Sequence, residues 1–209
     1  MKKITWIAIT VLLIIGLVYL FKSGGGSSAG AFVAGELSPL DNAKGNLEAK
    51  VVVMEYSDFQ CPACRVYYPV MRQLMQEFGG DAVFVYRHFP LTQIHPNAEF
   101  AARAAEAAKL QGKFWEMHDL LFEKQNEWAE ANDIEALFVS YAKLIGLDQE
   151  KFKTDWRSKE VKDFVTSQKN HALSSGLQGT PTFFVGGEKI TNPRSADEFR
   201  GLIIKALGK

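Results

Sequence analysis

The residues best equipped for chemistry are Cys61 and Cys64, the only two cysteines among 209 residues. Pro62 and Ala63 lie between them. On a helix, positions i and i+3 share a face and lie close enough for a disulfide. Pro62 suits a first helical turn, where a missing N–H costs nothing. Cys61 is then expected at the positive helix end, where unpaired N–H groups stabilise a thiolate and lower its pKa. Cys64, one turn further in, is expected to be more buried. The asymmetry predicts that Cys61 is the attacked or attacking sulfur and that Cys64 resolves the mixed disulfide. A metal centre is the competing use of the pair. It would need two more ligands from His88, His95, His118 and His171, none of which has paired spacing. A purely structural disulfide closing so short a loop would add little chain-entropy stabilisation.

Two further features stand near the pair. Glu55 interrupts the apolar run Val51 to Tyr56. A carboxyl there is costly unless satisfied. It is either a strand-edge residue with its head in water or a partly buried acid beneath the cysteines, its pKa raised by desolvation and suited to shuttle the Cys64 proton. Gly179-Thr180-Pro181-Thr182 precedes a second apolar run. Pro181 is either an edge or turn device or the site of a cis Thr180–Pro181 bond.

The elements that must position these residues follow from periodicity. Val51 to Tyr56 reads as a strand buried on both faces. Pro62 to Phe78 carries apolar residues at helical spacing, ends at Gly79-Gly80 and contains Pro69, where a kink is expected. Ala82 to Phe89 is a second strand, stopped by Pro90. Roughly residues 97–176 are helical, with breaks at Gly112 and Gly146 and an N-cap at Ser158. Thr182 to Val185, Gly186-Gly187 and Glu188 to Ile190 form a hairpin signal. Ser195-x-x-Glu198 opens the last helix as a capping box. The strand–helix–strand unit implies a right-handed parallel crossover, which the hairpin extends antiparallel.

Composition excludes other classes. Hydrophobic residues make up 47% and charged residues 23%, an ordinary globular balance. The 24 basic and 24 acidic residues cancel, and no charge block points to nucleic acid. The N-terminus suggests a membrane. Lys2 and Lys3 precede an uncharged run from Ile4 to Phe21, closed by Lys22. As a helix this run is about 27 Å long, close to the hydrocarbon core. Residues 1–22 are therefore expected to be a transmembrane signal-anchor or, alternatively, a cleaved signal. Residues 4–21 would meet the lipid bilayer, and the C-terminal part would lie outside the cytoplasm. The alternative location is secreted or periplasmic. Residues 23–35 are rich in Gly and Ser and read as a flexible linker, with Phe32 and Val33 either docked or loose. Residues 36–209 form the expected domain.

Gly45-Asn46, VVVMEYSDFQCPAC (Val51 to Cys64), RHFP (Arg87 to Pro90), HPNA (His95 to Ala98) and GTPTFFV (Gly179 to Val185) together resemble the DsbA-like branch of the thioredoxin superfamily. The resemblance covers roughly residues 36–207. It implies an α/β thioredoxin fold with a helical domain inserted between the second and third core strands. It also implies a cis-proline loop facing a redox-active Cys61–Cys64 disulfide, with no other cofactor. Cys61 matches the nucleophile, Cys64 the resolving cysteine, Glu55 the acid before the motif and Pro69 the kink proline. Thr180 and Pro181 match the loop that meets substrate. The implied activity is protein thiol–disulfide exchange on reduced or misfolded exported proteins, with a membrane redox partner resetting the pair. Ala63 departs from the His of the best-known oxidising members, which removes a cation that would stabilise the thiolate. Donation of the disulfide is the leading expectation. A reductase or isomerase of the same fold and an extracytoplasmic copper-binding module are the alternatives.

Overall fold

The computed structural model describes residues 32–209. In chain order the strands are β1 (Asn42–Gly45), β2 (Val51–Ser57), β3 (Ala82–His88), β4 (Thr182–Val185) and β5 (Glu188–Lys189). The helices are α1 (Pro62–Phe78), α2 (Ala98–Lys109), α3 (Phe114–Glu123), α4 (Gln125–Trp128), α5 (Ile134–Leu144), α6 (Gln149–Arg157), α7 (Lys159–Ser174) and α8 (Ala196–Ala206). Helices α2 to α7 lie between β3 and β4, so the chain has the α/β thioredoxin layout with an inserted helical region.

The sheet runs β1-β3-β2-β4-β5. β2 and β3 pair in parallel, with Glu55 opposite Tyr86, and β2 and β4 pair antiparallel, with Tyr56 opposite Thr182. β2 is thus central, as its apolar run requires. Alternation divides its side chains. Val51 and Val53 pack with Met71, Leu74 and Phe78 of α1 and Phe199 and Ile203 of α8. Met54 and Tyr56 face the other way, against Ala172 of α7 and Leu177. The insertion packs Trp128, Phe138, Phe152 and Trp156 into a cluster that continues to Phe59, Cys61, Cys64 and Tyr86.

Local chemistry ends the elements where the sequence indicates. Ser158 caps α7 through Val161 N and Ser195 caps α8 through Glu198 N, and Pro69 sits inside α1 without ending it. β1 is not evident from its sequence, Asn-Ala-Lys-Gly. It is held by antiparallel pairing to β3. Gly45 has φ +101°, and a Cβ there would stand 2.6 Å from the Ala82 carbonyl oxygen, so only glycine fits.

Residues 32–35 do not behave as a free linker. Phe32 is buried, packs edge-on against Phe164 and lies beneath the Arg87 guanidinium, 4.9 Å from its ring centre. Arg87 is fully buried. It donates to both Asp41 carboxylate oxygens at 2.7 Å and to the Val33 and Glu36 carbonyls. Five N–H donors in a rigid fork make arginine able to pin this segment.

The expected membrane attachment is corrected. Among the described residues no helix is long and apolar enough to cross a membrane. The run 4–21, on which the anchor, the bilayer partner and the single-pass location rested, lies outside the described residues, as do residues 1–22 and most of the linker. The transmembrane and signal-anchor reading is therefore not retained.

Candidate active site

Cys61 is the N-cap of α1, with extended backbone angles, and Pro62 opens the helix. Both cysteines are free thiols, and they differ in access. Cys61 is 6% exposed and Cys64 is fully enclosed. The Cys61 Sγ lies 3.5 Å from the Thr180 carbonyl oxygen, across a loop whose Thr180–Pro181 bond is cis. Antiparallel pairing of β4 with β2 brings this loop to the cysteines from 119 residues away.

The environments push the two thiols apart. The Cys61 pKa is lowered to about 5, first by hydrogen bonding from Cys64. Burial works against this. The Thr180 side chain and the backbone N–H groups of Cys64 and Ala63 reinforce it. The Cys64 thiol thus supplies the largest stabilisation and the N–H groups of the first helical turn add to it, with no cation among the causes. Burial pushes the Cys64 thiol well above its usual range, helped by Cys61 and by Glu55.

Glu55 is enclosed within the sheet, at 5% exposure, and its head is not in bulk water. Its pKa is raised to about 7, chiefly by burial. The Ser57 hydroxyl donates to Glu55 Oε1 at 2.7 Å and opposes that rise. Ser57 escaped the sequence reading, although residues two apart on a strand share a face.

The loop before Cys61 is fastened to the insertion. Gln125 donates to the Phe59 and Cys61 carbonyls, at 2.6 and 3.1 Å. Gln60 donates to the Ala129 carbonyl and accepts from Asn97 N. Asp58 accepts from Gln60 N and Leu91 N and pairs with His95 at 2.7 Å. The helical region therefore sets the backbone at the nucleophile. Only the HPNA segment hinted at this, through His95 and Asn97.

The histidines are engaged elsewhere. His88 meets Glu106, His118 sits among aromatic rings and bonds Asp119, and His171 lies on Tyr56. Among the described residues no group of three His, Cys, Asp or Glu side chains is placed to hold a metal. A copper module would have no ligand set there beyond the cysteine pair.

Comparison with known proteins agrees with this geometry. Residues 38–205 match the family model Thioredoxin_4, described as thioredoxin. A thioredoxin-like oxidoreductase from Silicibacter pomeroyi is 27% identical, with a TM-score of 0.69 over 82% of this chain and 94% of that one. Wolbachia pipientis alpha-DsbA1 shares the fold at 22% identity and TM-score 0.73, covering 84% of this chain and 96% of that one. A sequence relative, Na(+)/H(+) antiporter NhaA 3 of Salinispora tropica, is 37% identical over 80% of this chain but only 25% of its own length. The chain thus spans about a quarter of the curated relatives it matches. The fold, the family model and the paired sulfurs agree: the chain belongs to the thioredoxin family, has a DsbA-like fold and carries the closely spaced cysteine pair of a thiol–disulfide oxidoreductase.

Proposed function

We propose that the chain donates its Cys61–Cys64 disulfide to reduced exported proteins. The observation that carries this reading is the separation of the two thiols, Cys61 near 5 and Cys64 well above its usual range. A thiolate favoured at Cys61 stabilises the reduced enzyme, which makes the disulfide the better electron acceptor. It also makes Cys61 the better leaving group. A donor must keep its disulfide between turnovers, which is possible only in an oxidising compartment, and exported proteins are the thiols found there.

The reaction balances without a further reagent. A substrate thiolate bonds to Cys61 Sγ, the Cys61–Cys64 bond breaks, and its electron pair goes to Cys64 Sγ, which takes a proton. A second substrate thiolate attacks the substrate sulfur of the mixed disulfide and expels Cys61 as a thiolate. The substrate is oxidised by two electrons and the enzyme reduced by two. The Thr180 carbonyl, 3.5 Å from Cys61, offers a backbone acceptor for an extended substrate chain, a contact with little sequence preference.

Equilibration with glutathione tests the direction. A Cys61 pKa of about 5 lies between thioredoxin's, near 7, and DsbA's, near 3.5. The expected reduction potential therefore lies between roughly −270 and −120 mV. A value at or below about −270 mV would overturn donation in favour of the reductase.

A further inference from the structure

The N-terminus of α1 has no ordinary cap. No side-chain hydrogen bond closes it, and no acidic residue lies in its first turn. Pro62 brings no N–H, so the N–H groups of Ala63 and Cys64 are the ones that favour the Cys61 thiolate. How well they are aimed at the sulfur depends on the Cys61 backbone, held at φ −68° and ψ 122°. The Cys61 N–H donates to the Asp58 carbonyl at 3.0 Å, within its own loop. The Cys61 carbonyl, whose direction follows ψ, accepts from Arg65 N at 3.2 Å and from the Gln125 amide at 3.1 Å. Gln125 belongs to the insertion, on α4, and its side chain is buried. Its amide nitrogen has two hydrogens and spends them on two carbonyls, Phe59 at 2.6 Å and Cys61 at 3.1 Å. Neither carbonyl can turn without breaking a buried hydrogen bond. The base beneath Gln125 is fixed as well. Trp128 is fully buried, and its indole N–H donates to the Leu121 carbonyl at 2.8 Å. The Asn97 amide reaches the carbonyls of Trp128, Ala129 and Ala131, at and just after the end of α4.

We propose that Gln125 is a positioning residue for the redox pair: by fixing the Cys61 carbonyl it keeps the Cys61 sulfur aimed at the N–H groups of the first helical turn, so the helical insertion sets how far the thiolate is favoured. Gln125 acts through the Cys61 peptide and takes no part in bond making. With the carbonyl released, ψ relaxes about the one remaining bond, from Arg65 N, and the aim of the Ala63 and Cys64 N–H groups loosens. The sulfur then loses stabilisation as an anion and none as a thiol. The amide hydrogens also place positive partial charge beside the carbonyl oxygen, a negative group on the nucleophile's own residue. Both effects favour the thiolate over the thiol and over the disulfide, neither of which carries the charge. This holds whichever way electrons flow, so it does not depend on disulfide donation. Well above the Cys61 pKa the thiolate stabilises the reduced enzyme, so a loss of thiol acidity weakens the reduced form by the same factor. A tenfold loss lowers the reduction potential by about 30 mV.

The test compares two readouts on the intact protein, alkylation of Cys61 against pH and the glutathione equilibrium at pH 7. Gln125→Met keeps a long side chain and removes both donors. The Cys61 acidity constant read from its profile should fall by about two- to tenfold, the range of one neutral hydrogen bond. The equilibrium constant for reduction by glutathione should fall by the same factor. Gln125→Glu keeps the length and puts oxygen where the amide nitrogen stood. It should move both readouts in the same direction by at least as much, and it carries the test if Gln125→Met does not fold. Gln60→Ala cuts the other tie between this loop and the insertion, to the Ala129 carbonyl and Asn97 N, and leaves the Cys61 carbonyl held. It should lower stability in urea and leave the Cys61 profile that of the native protein. An unmoved profile in a folded Gln125 variant overturns the positioning role. So does a moved profile without a matching change in the glutathione equilibrium. An equal shift in Gln60→Ala overturns it too, because any loosening of the loop would then suffice. A native potential at the thioredoxin end would refute donation alone, since each readout here is a ratio of variant to native.

Discussion

The sheet encloses carboxyl groups in two places and treats them in opposite ways. On the edge-strand side, Asp41 receives two hydrogen bonds from Arg87 and one from Ser38 N. Nearby, Glu106 accepts from Asn42 at 2.7 Å, meets His88 at 2.8 Å and has Lys109 at 3.7 Å. Burial would raise the Glu106 pKa, but these partners outweigh it and hold the carboxyl below its usual range. In the middle of the sheet, Glu55 is as enclosed as Glu106, at 5% exposure each, yet it has one hydroxyl and no ion pair among the described residues. Its pKa rises to about 7. Burial alone therefore does not decide the charge of an enclosed acid. The number and sign of its partners do, and the under-partnered acid is the one beside the cysteines.

The largest expected effect is on the paired side. Arg87→Leu leaves Asp41 enclosed without its cation and frees the Val33 and Glu36 carbonyls. Breaking a buried pair in this way costs about 3–5 kcal/mol, which urea unfolding would read. A loss under about 1 kcal/mol would mean that the Arg87–Asp41 pair is reached by water, and the contrast with Glu55 would fail.

Glu55→Gln should act in the opposite direction and depend on pH. The folded protein holds the Glu55 proton up to about pH 7, whereas the unfolded chain releases it near 4.5. Between those values the folded state binds more protons, so stability falls as pH rises and levels off above about 7. Glutamine carries no such loss. The reduced variant should match the native protein at pH 4 and exceed it at pH 8, by up to about 3 kcal/mol. Equal stability at both pH values would place Glu55 in water.

What could be read from residues alone was whatever depends on near neighbours. The Cys61–Cys64 spacing, the caps at Ser158 and Ser195 and the apolar runs of β2, β3 and β4 are local signals, and a parallel crossover extended by an antiparallel hairpin follows from their order, whereas the thioredoxin layout is what the resemblance of the motifs implies. Glu55 stood out because a carboxyl in an apolar strand is conspicuous, but its partner Ser57 did not, since serine is ordinary at a strand end. β1 has no strand-forming residues and exists only through its pairing with β3. Gln125 and Gln60 are unremarkable polar residues until folding sets Gln125 on the Phe59 and Cys61 carbonyls and Gln60 on Ala129. Arg87 belonged to a recognisable RHFP segment, yet its complete burial depends on Asp41, 46 residues away.

The smallest expected effect concerns Thr180, and it asks whether a site group can be removed at no cost to the fold. The Thr180 hydroxyl is buried and has no hydrogen-bond partner among the described residues while Cys61 is a thiol, and the Thr180 side chain lowers the Cys61 pKa by favouring its thiolate. Thr180→Val keeps the branched shape and replaces the hydroxyl with a methyl. The fold loses no hydrogen bond and is relieved of an unsatisfied donor, so stability should hold or rise by up to about 1 kcal/mol. The thiolate loses one of its stabilising contacts, so the Cys61 pKa should rise from about 5. Three contacts remain, from Cys64 and from the N–H groups of Ala63 and Cys64, so the slowing of alkylation near that pH should stay under about tenfold, equivalent to one pKa unit. The reduced enzyme is then less favoured and the disulfide a weaker acceptor, which shifts the glutathione equilibrium toward the oxidised form. Opposite signs in stability and potential would mark Thr180 as tuned for the sulfur. A loss of stability with an unmoved Cys61 profile would place it with Asp41 and Glu106, as a group the fold needs.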